Sequence, residues 1–68
     1  MEMIKVKSSL IAAVGYENSS LVVHLNTGKK YKYFHVPETV FERFLKAPSK
    51  GVFFNQSVKP FYDYVPLS

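Results

Sequence analysis

Two runs of alternating apolar and polar residues, SLVVHLN (20–26) and KKYKYFHV (29–36), stand almost back to back with Thr27-Gly28 between them. A period of two is the signature of a half-buried strand. Gly28 suits a left-handed position in a tight hairpin turn. A three-residue loop, Asn26 to Gly28, sets Leu25 opposite Lys29. Tyr31 and Tyr33 then join Leu21, Val23 and Leu25 on one face, and Lys30, Lys32 and Phe34 fall on the other. A slip of one residue would reverse every side chain. The first register gathers the large apolar groups on one side and leaves the ammonium groups in water, so Tyr31 and Tyr33 are expected in the core, with their hydroxyls at its rim.

The flanking sequence supplies the other elements. SSLIAAVGY reads as a first strand ending near Gly15 and Tyr16, and ENSS has turn composition. Pro37 is expected at the first position of a helix, where its missing N–H costs nothing. Val40, Phe41, Phe44 and Leu45 form the apolar stripe of that helix, with Val36 stapled to it. Glu38 in the first turn and Arg43 and Lys46 in the last complement the helix dipole. Pro48 stops it. Ser49 is placed to cap a second, shorter helix, KGVFFNQSVK, which turns either Val52, Phe53 and Val58 or Phe54 and Val58 to the core. Gly51 either weakens this helix or lets the backbone approach a neighbour closely. FYDYVPLS reads as an extended tail or a short edge strand. The expectation is one α+β domain over residues 1–68: a three-stranded antiparallel β-meander followed by two short helices and an extended C-terminal tail.

At 68 residues with no cysteine, neither disulfides nor thiolate metal sites are available, and the six Phe and five Tyr must supply much of the buried area. No apolar run is long enough to cross a membrane, and MEMIKVKSS has no sustained apolar stretch of the secretory kind, which points to the cytoplasm. The net charge of +4 is uneven. Residues 1–28 sum to zero. Residues 29–59 carry seven basic side chains against Glu38 and Glu42, and Asp63 follows. Such a block favours anionic partners: RNA, DNA or an acidic protein surface.

Catalytic chemistry finds no foothold. The serines have no base beside them in sequence, the carboxylates are scattered, and no glycine-rich phosphate loop is present. His24 and His35 without cysteines do not make a metal site. No catalytic residue, cofactor or metal is expected.

From Ser8 to Tyr62 the sequence resembles the KTSC domain, named for the C-terminus of some lysyl-tRNA synthetases and also occurring as a stand-alone protein in bacteria and their phages. The resemblance is carried in order by the Ser9 region, Gly15-Tyr16, Leu21-x-Val23-x-Leu25, Gly28, Tyr31-x-Tyr33, Val36-Pro37, Ala47, Ser49-x-Gly51 and a late aromatic at Phe61 or Tyr62. Pro48, between Ala47 and Ser49, departs from the pattern at the helix junction. The resemblance marks Gly28, Tyr31, Tyr33, Pro37, Ser49 and Gly51 as characteristic of the domain, in roles that are structural. The synthetase context implies a link to RNA but no enzyme activity, since no synthetase catalytic domain is present. The leading expectation is a non-catalytic module that contacts RNA or single-stranded nucleic acid through Lys30, Lys32 and Phe34, with Lys29 and Lys50 at the margin. The alternative is a protein-interaction module, forming a homodimer or, if phage-encoded, binding a host protein.

Overall fold

The computed structural model describes residues 2–67. Five strands form one antiparallel sheet in sequence order: β1 (Met3–Lys5), β2 (Ile11–Glu17), β3 (Ser20–Leu25), β4 (Lys30–Tyr33) and β5 (Tyr64–Pro66). Between β4 and β5 lie α1 (Glu38–Lys46) and α2 (Lys50–Phe53), the latter running into a π-helical turn at Phe54–Val58. The architecture is α+β, but the expected three-stranded meander is two strands short. Both added strands are edge strands of three residues, too brief to show periodicity. β5 is fastened to β4 by Phe34 N–H donating to the Asp63 carbonyl (2.9 Å) and Leu67 N–H donating to the Lys30 carbonyl (2.8 Å). The central hairpin therefore does not end at an edge, and Lys30 and Lys32 do not serve to blunt one.

The hairpin register is the expected one. Leu25 N–H donates to the Lys29 carbonyl at 2.8 Å, and Val23 pairs with Tyr31 and Leu21 with Tyr33. Gly28 takes φ 95°, with open space where a Cβ would stand, so the turn selects glycine for its backbone and not for room. The β2–β3 turn places Asn18 and Ser19 at φ 51° and 63°, the paired left-handed conformation that matches strand twist in two-residue hairpins. A bulge between Ile11 and Ala13 shifts the phase of β2, which lets Ile11 and Val14 both reach the core.

The core lies between one sheet face and the helices. Ile11, Val14, Leu21, Val23 and Tyr33 come from the sheet, and Val36, Phe44, Phe54 and Val58 from the helical layer and its lead-in. The α1 stripe packs as expected, with Phe44 fully buried and Val40, Phe41 and Leu45 against it. Pro37 is the N-cap of α1, with extended ψ of 148°, and not its first helical residue. Its fixed φ fits either place, and helix ends are the least determined positions of a sequence reading. Ser49 caps α2 through its Oγ, which accepts from Val52 N–H at 3.3 Å. Of the two faces open to this helix, the Phe54/Val58 one is buried, while Val52 stays half-exposed. A Cβ on Gly51 would stand 3.4 Å from the Leu10 Cβ, which supports the close-approach reading of that glycine.

Candidate nucleic-acid interface on the open sheet face

Strand alternation sends Met3, Lys5, Ala13, Gly15, Val22, His24, Lys30, Lys32 and Val65 to the sheet face away from the helices. The registers order them into two rows across the sheet. One runs Lys5, Ala13, His24, Lys30. The next runs Met3, Gly15, Val22, Lys32, Val65. Between the lysines, Ala13, Gly15 and Val22 are small and shielded from solvent, and His24 is half-buried. Lysines stand on either side, Lys5 on β1 and Lys30 and Lys32 on β4. With strands about 4.8 Å apart, Lys5 and Lys30 leave the sheet roughly 14 Å from each other. The result is a shallow floor with positive sides.

His24 sits in this floor beside Lys30. Burial, and secondarily the Lys30 charge, lower its pKa below the usual histidine value. It is therefore neutral at physiological pH, and the charge of the face comes from its lysines. Phe34, just past the end of β4, is half-buried, and the Lys32 ammonium lies 5.8 Å from its ring centroid, within cation–π range.

Lys30, Lys32 and Phe34 are thus brought together as the sequence suggested, and Lys29 lies exposed just before β4. Lys50 does not join them. It belongs to the helical layer on the opposite side of the sheet, where its Nζ donates to the Ala47 carbonyl at 2.6 Å and tethers the α1–α2 junction. Lys5 joins the face without having been singled out. The alternation of Ile4, Lys5, Val6 and Lys7, which runs past the end of β1, is the one signal that could have found it. Tyr31 and Tyr33 face the helices, as the register required, and Tyr33 is only 2% exposed. His35 follows β4 with φ 57°, exposed and outside this face. Among the described residues, no group of three or more metal-ligating side chains assembles, and no helix is long and apolar enough to cross a membrane.

Helices on one side of an antiparallel sheet and a basic, uncovered second side define a two-layer α+β module. The chain belongs to the KTSC domain family, which residues 7–62 match. It is similar to a crystal structure of a KTSC domain protein from Yersinia pestis, with a TM-score of 0.92 and 31% identity over 98% of this chain and 97% of that one. It is also 38% identical to a lysine–tRNA ligase of Nostoc sp., over 97% of this chain but only 12% of the ligase. A protein of Tsukamurella paurometabola is 41% identical over 91% of this chain and 96% of its own length, so the module also occurs without a ligase attached.

Proposed function

We propose that this domain is a non-catalytic module that binds RNA or single-stranded nucleic acid along its open sheet face. The observation that supports this best is the pair of cross-sheet rows, which set Lys5 on one side and Lys30 and Lys32 on the other of a floor made from Ala13, Gly15 and Val22. Lysines set on both sides of a strip of small residues can neutralise the phosphates of a flexible chain laid across the face. Lys29 extends the positive rim. Phe34 is half-buried beneath the Lys32 ammonium, so phosphate neutralisation dominates and base stacking is secondary. The occurrence of the same module in enzymes named for charging tRNA supports RNA as the polymer.

Fluorescence anisotropy of a labelled single-stranded RNA tests the reading. With three phosphate contacts the logarithm of affinity should fall with log salt at a slope of about −2. A Lys5→Gln/Lys30→Gln/Lys32→Gln variant should flatten that slope. No association at low ionic strength, or a triple variant that binds like the wild type, refutes it.

A further inference from the structure

On the helical side of the sheet, Leu25, Tyr31, Tyr33, Tyr64, Phe54 and Lys59 enclose a cavity of ≈ 140 Å³. The Tyr64 ring lies 5.4 Å edge-on from Tyr31 and 5.2 Å from Tyr33, and Tyr33 meets Phe54 edge-on at 5.6 Å. Three phenols therefore converge on one space. Tyr33 is 2% exposed, yet its hydroxyl makes no hydrogen bond to the protein among the described residues; by contrast Tyr16 donates to the Val36 carbonyl. Among the described residues no buried side-chain oxygen is left unpaired, so this hydroxyl stays within reach of solvent at the rim of the core, beside the cavity that Tyr33 lines. Burial first, then the neighbouring Tyr64 and Tyr31, push the Tyr33 pKa up to about 12, so the phenol stays a protonated donor at physiological pH.

We propose that this cavity is a binding site for a small oxyanion, a phosphate or carboxylate group, held by the hydroxyls of Tyr31, Tyr33 and Tyr64 with the Lys59 ammonium at the mouth. The lining includes no carboxylate, and the Lys59 ammonium opposes the attraction its aromatic rings would offer a cation. Neutral acceptors would leave the lysine unused. An oxyanion accepts from every polar group present, and the apolar floor of Leu25 and Phe54 strengthens those bonds by excluding water. The site lies on the opposite side of the sheet from Lys30 and Lys32, so it stands or falls apart from nucleic-acid binding.

The test is an amide NMR titration of the domain with sodium phosphate and, separately, sodium acetate, with chloride holding ionic strength constant. Saturable shifts confined to Tyr31, Tyr33, Lys59 and Tyr64 are expected with at least one of the two. Phosphate alone would identify a tetrahedral group and acetate alone a carboxylate. Tyr33→Phe should weaken binding about tenfold, the worth of one charge-assisted hydrogen bond. Lys59→Gln alters an exposed side chain, cannot unfold the domain, and should weaken it comparably. The proposal is overturned if neither anion saturates, which would leave the cavity to water. Shifts that map instead to Lys30 and Lys32, or binding unchanged in both variants, overturn it as well.

Discussion

Two tyrosines of this domain use their hydroxyls in opposite ways, and removing each oxygen should give opposite results. Tyr16 stacks on Phe41 with centroids 5.1 Å apart and donates to the Val36 carbonyl at 2.5 Å, joining β2 to the residue that leads into α1. Val36 is fully buried. In Tyr16→Phe the ring keeps its place against Phe41, so the carbonyl loses its donor without gaining water. An acceptor left unpaired in the interior costs about 1–3 kcal/mol. In a domain of this size each kcal/mol shifts the melting temperature by roughly 4–8 °C. Tyr33→Phe removes a hydroxyl with no protein partner and should leave stability close to that of the wild type. Thermal melts followed by circular dichroism would measure both. A Tyr16→Phe protein that melts with the wild type, or a Tyr33→Phe protein that loses as much as Tyr16→Phe, would refute the assignment of which phenol holds the fold and which is left for a ligand.

Other expectations follow from single contacts. Phe44→Ala should cost about 3–5 kcal/mol, set against a total stability of about 3–10 kcal/mol for a domain of this length, and chemical denaturation should find little folded protein left. Ser49→Ala should cost about 1 kcal/mol by freeing the Val52 N–H, and Ser49→Gly only a few tenths, a ranking that urea midpoints can check. His24 has a folded pKa below its unfolded value, so the unfolded chain binds the proton more readily. Its contribution to stability is present above about pH 6.5 and is lost as the pH falls through and below that value. Melts across that window should show the loss in the wild type and a smaller one in His24→Gln. At the other extreme the Tyr33 phenol ionises late, so stability should fall as the pH rises above about 10, and Tyr33→Phe should remove part of that fall.

The hairpin was readable because two constraints agreed: the apolar alternation of Leu21, Val23 and Leu25 and a turn ending in Gly28 admit one register. The α1 stripe was readable because four apolar residues recur at helical spacing within nine positions. What stayed hidden was short or depended on contacts far along the chain. β1 has a single apolar residue turned to the core side, and β5 exists because the chain returns past two helices to pair with β4. Lys5 was missed with β1. Lys50 was misplaced because sequence proximity to Ser49 and Gly51 says nothing about which side of the sheet α2 occupies. The cavity among Tyr31, Tyr33 and Tyr64 was beyond reach because a possible edge strand at FYDYVPLS does not say which strand it pairs with, and so does not bring Tyr64 beside Tyr31 and Tyr33.

The first and last strands occupy opposite borders of the sheet, four strand spacings or roughly 19 Å apart. A fold whose ends leave from opposite borders cannot be dropped into a host's surface loop without prising that loop open. It suits threading in series, with one neighbouring domain meeting it at the Lys5 border and the other at the Tyr64 border.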